Sequence, residues 1–139
     1  MSDLLSAERI DDALRGRFGR PLRYHESIDS TNRDALEWAA AGAPEGAVVT
    51  TDHQTAGRGR WGRSWSSTPG RLLQLSVILR PGLPVTDAGV VTTAVGLACA
   101  ESVDELTGVP AQIKWPNDVT VGGRKLAGIL VESVVTGAT

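Results

Sequence analysis

The sequence is poor in the features that would assign it to a class at once. Its one cysteine, Cys99, can form no disulfide within the chain, so a reducing, cytoplasmic location is expected. No apolar run approaches the roughly 18 residues that a membrane-spanning helix needs. Charge of neither sign dominates, because 14 Lys and Arg face 16 Asp and Glu, a formal net charge of −2. These absences disfavour a disulfide-bonded secreted protein, a membrane protein and a general nucleic-acid binder, which is usually basic.

The composition and the two chain ends set the expected extent of the fold. With 139 residues, 41% of them hydrophobic, the chain can build one core of ordinary size. Its start, MSDLLSAERIDD, has neither the basic segment nor the apolar run of a signal peptide. Its end, VVTGAT, has no closing helix and leaves the last strand as a bare sheet edge, so we expect the fold to continue further. The apolar neighbours of Cys99 predict a small buried side chain there.

Helical and strand patterns alternate along the chain. Three segments are predicted to be helices. The first is capped by Ser6 and places Ile10, Leu14 and Phe18 on one face. The second is capped by Ser30 and stops at Gly42, and the third covers 87–106. The segments with strand character are 22–28, 47–54, 72–79, 111–115, 119–121 and 125–132. The last two join around Gly122 and Gly123, which predicts a hairpin. This mixture predicts an α+β fold, with a mixed or antiparallel sheet and helices packed on one face.

Residues 55–65, TAGRGRWGRSW, form a segment that we call the arginine loop. Arg58, Arg60 and Arg63 lie close together in it with no acidic residue among them. Ordering such a glycine-rich loop costs roughly 1–2 kcal/mol per residue, whereas each charge-assisted bond from arginine to phosphate or carboxylate returns about 1.5–3 kcal/mol. We therefore expect a loop that is mobile when empty and closes over a phosphate or carboxylate. The alternative interpretation is a solvated surface loop.

The sequence of the arginine loop also resembles two nucleotide-binding motifs, but the residues around it do not fit either motif. Residues 57–62 read G-x-G-x-x-G, but the dinucleotide fingerprint requires a helix directly afterwards, and RSWSSTPG follows instead. A Walker A loop would need Gly-Lys-Ser/Thr at its end, which is absent here. Arginine–glycine segments that bind RNA usually lie in long disordered tracts, whereas two predicted strands flank this loop. An RNA-binding loop stays open as a rival interpretation.

Two further stretches carry polar groups in places that suit a ligand. DSTN, at 29–32, lies at a strand-to-helix junction, where a plain helix cap is the alternative interpretation. KWPND, at 114–118, and GRKLAGIL, at 123–130, place Lys114 and Lys125 in otherwise apolar strands on either side of an Asn-Asp turn. Two lysines in this arrangement favour a site for phosphate charge, with Asp118 available to a metal ion or a ribose.

Four motifs of this sequence, in their order and spacing, closely resemble the catalytic domain of biotin–protein ligases (biotin–acetyl-CoA-carboxylase ligases). They are STN, QTAGRGRWGRSW, KWPND and GRKLAGILVE. The motifs cover most of residues 28–132. The resemblance implies a fold similar to that of class II aminoacyl-tRNA synthetases. It also implies an enzyme that joins biotin to ATP with Mg²⁺, forming biotinyl-5′-AMP and pyrophosphate. A lysine of the biotin carboxyl carrier protein then takes up the biotin.

The same resemblance assigns roles to individual residues of this chain. Catalytic roles fall to Lys125 and Arg60. Biotin binding falls to Ser30, Thr31, Asn32, Gln54, Gly57, Arg58, Arg60 and Lys125. ATP binding falls to Arg60, Arg63, Trp65, Lys114, Asn117, Asp118 and Lys125. Asp118 is also the candidate for the metal ion.

Departures from the family pattern qualify this prediction. Residues 1–21, which precede the first predicted strand, are too few for the winged helix that some members use to bind DNA, so no operator binding is expected. Residues 1–139 correspond to the N-terminal portion of the catalytic domain, and the remainder with its SH3-like domain is missing. A lipoate–protein ligase or octanoyltransferase is a rival, although its Arg-Arg and Ser-Gly-Gly-Gly motif is absent. A non-catalytic biotin- or nucleotide-binding module is another.

Overall fold

The computed structural model describes residues 5–135. Its α-helices are α1 (Ala7–Ala13), α2 (Thr31–Ala40) and α3 (Ala88–Thr107). Its strands are β1 (Leu22–His25), β2 (Val48–Thr51), β3 (Gly57–Arg58), β4 (Ser64–Trp65), β5 (Gln74–Val77), β6 (Gln112–Lys114), β7 (Asp118–Val121) and β8 (Arg124–Gly128). Within this range no helix is both long enough and apolar enough to cross a membrane.

The chain forms two compact units. The first contains the described residues up to Arg58, Gly62–Pro81 and the described residues from Glu132 onward. The second contains Gly59–Trp61 and Gly82–Val131.

The first unit is built on a mixed sheet with the strand order β1-β2-β5. β1 and β2 run parallel, with Leu22 opposite Val48, and β2 and β5 run antiparallel, with Val48 opposite Val77. A parallel pair cannot be closed by a tight turn, and α2 supplies the crossover between β1 and β2. The predicted α+β class with a mixed sheet and packed helices is therefore confirmed.

Helix α2 begins where the sequence predicts it and covers this sheet. Ser30 is its N-cap, with extended backbone angles and a side-chain oxygen that accepts a hydrogen bond from the Arg33 N–H at 3.4 Å. The helix contacts both β2 and β5. The apolar core between them is small and consists of Ala35, Ala43, Ala47, Val49 and Ile78, with Trp38 and Ala39 packed against it.

The second unit pairs α3 with an antiparallel sheet in the order β6-β7-β8. α3 packs through small residues, since a Cβ at Gly96 would lie 3.3 Å from Cδ1 of Ile129. The helix ends at Gly108, whose φ of 69° few other residues adopt. Gly122 and Gly123, both at positive φ, join β7 to β8, which confirms the predicted hairpin.

The predicted apolar face of the first helix is wrong. α1 begins after Ser6 as expected, but it ends at Ala13, so Phe18 does not belong to it. The backbone adopts positive φ at Gly16 and Gly19, and helical geometry cannot continue through them. Phe18 lies instead beside Gly46, where an added Cβ would be 3.3 Å from the ring.

Several strands are shorter than their apolar patterns predict. The strand predicted over 22–28 ends at His25. Of the strands predicted over 47–54 and 72–79, only the residues of β2 and β5 are in strand conformation. The predicted strand 125–132 ends at Gly128, and residues 136–139 of the expected bare edge lie outside the described residues. Cys99 is half-buried rather than buried, and desolvation raises the pKa of its thiol, which disfavours a nucleophilic role.

Candidate functional site

The polar residues of DSTN meet Gln54 because two chain segments continue side by side beyond β1 and β2. The Ile28 N–H donates to the His53 carbonyl at 3.0 Å, and the Thr55 N–H donates to the Ile28 carbonyl at 2.9 Å. This register brings Gln54 to the first turn of α2. The backbone N–H and the hydroxyl of Thr31 both donate to Oε1 of Gln54, at 2.8 and 3.0 Å. The orientation of the Gln54 amide is therefore fixed.

Gln74 of β5 holds the other side of the Gln54 amide. Nε2 of Gln54 donates to Oε1 of Gln74 at 3.1 Å, and Nε2 of Gln74 donates to the Asp52 carbonyl at 3.2 Å. The hydroxyl of Thr50 donates to the backbone carbonyl of Gln74 at 2.9 Å. Gln74 is buried, so each of these bonds satisfies a group that water does not reach.

Ser76, two residues further along β5, completes the arrangement. Its hydroxyl oxygen lies 2.8 Å from Oγ1 of Thr31 and within hydrogen-bond distance of Oδ1 of Asn32. The side chains that are linked in this way form what we call the polar network: Thr31, Asn32, Gln54, Gln74 and Ser76. Among the described residues, no buried side-chain nitrogen or oxygen lacks a hydrogen-bond partner.

Tyr24 and Asp52 support the polar network from β1 and the end of β2. The Tyr24 hydroxyl donates to Oδ2 of the buried Asp52 at 2.5 Å. This hydrogen bond, together with burial and the charge of the carboxylate, raises the pKa of Tyr24 to about 12. Tyr24 therefore stays protonated at neutral pH and remains a donor to Asp52.

The arginine loop folds back on itself as a short antiparallel pair. Gly57 of β3 lies opposite Trp65 of β4, and Arg58 lies opposite Ser64. The reversal between them passes through Trp61, which adopts a left-handed φ of 61°. The Trp61 ring is exposed, and the guanidinium of Arg60 lies 5.1 Å from its centroid.

The acidic partner that the arginine loop lacks in sequence comes from Glu132. Nη2 of Arg58 lies 2.9 Å from Oε1 of Glu132, and the same oxygen accepts a hydrogen bond from Nδ2 of Asn32 at 3.1 Å. The arginine loop therefore pairs one of its three arginines with a carboxylate of the chain itself.

Gly57 is required by packing within the loop. A Cβ at this position would lie 2.6 Å from the backbone oxygen of Trp65 and 3.0 Å from Nε2 of Gln54. The first of these contacts is too close for any side chain without a shift of the backbone. The glycine therefore lets β3 approach β4 and the Gln54 amide at once.

Substitution of Gly57 by alanine is expected to separate β3 from β4, because the Trp65 oxygen cannot move away while the two strands stay paired. Hydrogen–deuterium exchange should then be faster across residues 57–65 than in the unaltered chain. Gly89→Ala is the matched control, since an added Cβ there meets nothing within 4 Å. Unchanged exchange in the Gly57 variant would contradict this account of the loop.

The lysines of KWPND and GRKLAGIL flank Asp118 in the sheet of the second unit. Lys114 of β6 lies opposite Asp118 of β7 in the strand register. From β8, Nζ of Lys125 reaches Oδ1 of Asp118 at 3.2 Å. The tail of Lys125 passes over Gly128, where a Cβ would lie 3.2 Å from Nζ, so the glycine leaves room for it. Nδ2 of Asn117 donates to the Ile129 carbonyl at 3.2 Å.

The predicted site residues gather in two groups, each inside one unit. The first unit holds Ser30, Thr31, Asn32, Gln54, Gly57, Arg58, Arg63 and Trp65. The second holds Arg60, Lys114, Asn117, Asp118 and Lys125. Sequence reasoning missed Gln74, Ser76 and Glu132. The signal for the first two is the even spacing of polar residues in LLQLSVIL, which places both on one face of the strand.

Known proteins share this sequence and this fold. A family model described as the biotin/lipoate A/B protein ligase family matches residues 24–139. The biotin–[acetyl-CoA-carboxylase] ligase of Mycobacterium tuberculosis is 49% identical over 118 residues, which cover 81% of this chain and 44% of the relative. The bifunctional ligase/repressor BirA of Bacillus subtilis is 42% identical over 114 residues, which cover 82% of this chain and 35% of the relative.

A solved structure agrees with these relatives. The biotin protein ligase of Aquifex aeolicus in complex with biotin and ATP superimposes with a TM-score of 0.69 at 34% identity, covering 82% of this chain and 47% of that one. This chain thus spans less than half the length of each of the three proteins. The family model nevertheless covers most of the chain, so the resemblance carried by its motifs is confirmed. The chain belongs to the biotin/lipoate A/B protein ligase family.

Proposed function

We propose that this chain carries the biotin- and ATP-binding part of a biotin–protein ligase. The enzyme joins biotin to ATP as biotinyl-5′-AMP, releases pyrophosphate, and transfers the biotin to a lysine of the biotin carboxyl carrier protein. The observation that carries the proposal is the polar network, which lies at the start of α2 and directly beside Gly57 of the arginine loop.

The polar network suits the cyclic urea of biotin, which offers one carbonyl acceptor and two N–H donors. The Gln54 oxygen is taken up by Thr31, and one of its amide hydrogens is taken up by Gln74, which leaves the second N–H for the urea carbonyl. Ser30, Thr31 and Asn32 supply oxygen atoms around the same helix start. A few fixed polar groups of this kind give a small-molecule site its specificity.

The first chemical step brings two anions together. An oxygen of the biotin carboxylate attacks the α-phosphorus of ATP, a new P–O bond forms, and the bond to the pyrophosphate leaving group breaks. Cations must lower the repulsion before the atoms can meet. In this proposal Lys125 leaves its ion pair with Asp118 and contacts the reacting carboxylate and phosphate. Arg60 contacts the same groups. Arg63, Trp65, Lys114 and Asn117 bind the nucleotide.

Mg²⁺ enters this proposal as the ion that ATP brings with it. Within residues 5–135, no three His, Cys, Asp or Glu side chains lie together as a metal cage. Mg²⁺ needs no such cage, because it keeps several water ligands and is usually bound through one or two carboxylates plus substrate phosphates. Asp118 is the carboxylate that we assign to the ion, and Lys125 must leave it for the ion to bind there.

The second step transfers biotin to the carrier protein. The uncharged amine of the carrier lysine attacks the carbonyl carbon of biotinyl-5′-AMP, an amide bond forms, and AMP leaves. The mixed anhydride must be kept from water until then, and closure of the arginine loop would exclude water. We place this chemistry in the cytoplasm.

Pyrophosphate release and calorimetric binding test this proposal together. With Mg²⁺ and ATP, the chain should bind biotin and release pyrophosphate when biotin is added. Lipoate is the parallel acid, because the family also includes lipoate ligases. Release with lipoate alone would overturn the choice of substrate. A folded chain that neither binds biotin nor releases pyrophosphate would overturn the proposal as a whole.

A further inference from the structure

Glu132 joins two parts of the first unit that are far apart in sequence. One of its carboxylate oxygens lies 2.9 Å from Nη2 of Arg58 in an ion pair, and the same oxygen accepts a hydrogen bond from Nδ2 of Asn32 at 3.1 Å. The side chains of Arg58 and Glu132 are 43% and 26% exposed, so solvent only partly screens the pair. A single carboxylate therefore ties the arginine loop to the first turn of α2.

This ion pair changes what Arg58 can do. With Glu132 beside it, the pair has no net charge, and binding the carboxylate of biotin would draw Arg58 away from the oxygen that also holds Asn32. Its position in β3 gives it a different effect, because it directly follows Gly57, which lies against Gln54. Holding Arg58 in place therefore also holds Gly57 against the amide that the polar network orients.

Asn32 receives a fixed orientation from the same carboxylate. Its amide nitrogen donates to Glu132, and its amide oxygen lies within hydrogen-bond distance of the Ser76 hydroxyl. Ser76 in turn contacts Thr31, which holds Gln54. A continuous path of hydrogen bonds thus runs from the Glu132 carboxylate to the residues that we assign to the urea of biotin.

We propose that Glu132 is a positioning residue of the biotin site. It acts through Arg58 and Asn32, holding the arginine loop and the start of α2 in the geometry that binds biotin. This inference rests on the proposed function. It assigns Arg58 to the support of the loop and leaves Arg60 and Lys125 as the cations that act on the reacting groups.

Glu132→Gln is the variant that tests the proposal, because it keeps the size of the side chain and removes its charge. Calorimetry should show biotin binding weakened about tenfold, since the neutral amide removes the ion pair with Arg58. Hydrogen–deuterium exchange in the unliganded chain should rise across residues 57–65 and at the start of α2, and nowhere else. Glu132→Asp keeps the charge on a shorter side chain, so its biotin affinity and exchange rates should lie between those of the unaltered chain and those of Glu132→Gln.

A double-mutant cycle separates positioning from a general structural role. Glu132→Gln keeps an oxygen that can accept from Asn32, so the charge that it removes acts through Arg58. Arg58→Gln with Glu132→Gln should therefore bind biotin no more weakly than Arg58→Gln alone. Additive losses would overturn the proposal. Tighter binding in Glu132→Gln would also overturn it, because Glu132 would then be a competitor of the biotin carboxylate. Glu101→Gln, on the exposed face of α3, is the control and should bind as the unaltered chain does.

The two readouts keep this proposal distinct from the proposed function. If the unaltered chain binds no biotin, the proposed function fails. The exchange rates of the unliganded chain still decide whether Glu132 holds the loop: faster exchange confined to residues 57–65 and the α2 start in Glu132→Gln supports it, and unchanged exchange overturns it.

Discussion

Replacement of Lys125 by alanine should slow biotinyl-5′-AMP formation by roughly 10²–10³-fold, the loss that follows removal of one charge-stabilising donor from a reacting centre. Two anions have to approach in this step, and alanine removes one of the two cations that we assign to lower their repulsion. The fold should stay intact, because the Lys125 side chain is 44% exposed and its bond to Asp118 is a partly solvated ion pair. The measurement is the rate of pyrophosphate release at saturating biotin and Mg-ATP, with circular dichroism to check the fold.

Arg124→Ala provides the matched control for Lys125. Arg124 is the neighbouring cation on β8 and is exposed, and no role in the site is assigned to it. Its loss removes the same formal charge from the same hairpin without removing the lysine. We expect near-normal rates in this control. Near-normal rates in a folded Lys125→Ala variant would mean that the positive charge of Lys125 does not act on the reacting groups.

Gln54→Leu should have the largest effect on stability. Leucine fills a similar volume, but it leaves the Thr31 donors without their acceptor and the Gln74 oxygen without its donor. An unsatisfied buried polar group costs roughly 1–3 kcal/mol, so the free energy of unfolding should fall by about 2–5 kcal/mol in total. Biotin affinity should fall at least about tenfold as well, because the remaining N–H of Gln54 is also lost.

Urea unfolding and calorimetry measure these two losses, and Gln112→Leu is the control for them. Gln112 lies on β6 with its side chain exposed, so the same chemical change there should alter stability by less than about 0.5 kcal/mol. A Gln54→Leu variant as stable as the control would show that water or a rearranged neighbour replaces the lost bonds. The conclusion that Thr31 and Gln74 fix the orientation of the Gln54 amide would then be wrong.

Local signals in the sequence predict much of the fold. Ser30 begins α2 because its side chain can accept a hydrogen bond from the N–H three residues later in the chain. The residue type alone predicts this cap. Gly122 and Gly123 predict their hairpin because few other residue pairs adopt positive φ at both positions. The motifs also identify the family, and the roles that they assign to individual side chains stay predictions.

The parts that sequence reasoning missed depend on contacts between distant residues. On β5, Gln74 and Ser76 face inward while Leu75 and Val77 stay exposed, the reverse of the usual pattern for a strand with one buried face. Periodicity alone finds the two faces and cannot tell which one is covered. Glu132 was missed for a similar reason, because its partner Asn32 lies 100 residues away along the chain.

That separation has a consequence for the order in which the molecule assembles. β1, α2 and β2 lie within residues 22–51 and can associate early, whereas the bonds of Glu132 require closure of a long stretch of chain. During synthesis from the N-terminus, Asn32 and Arg58 leave the ribosome well before Glu132 is added. The bonds that tie the arginine loop to the first turn of α2 therefore form late, after the sheet of the first unit.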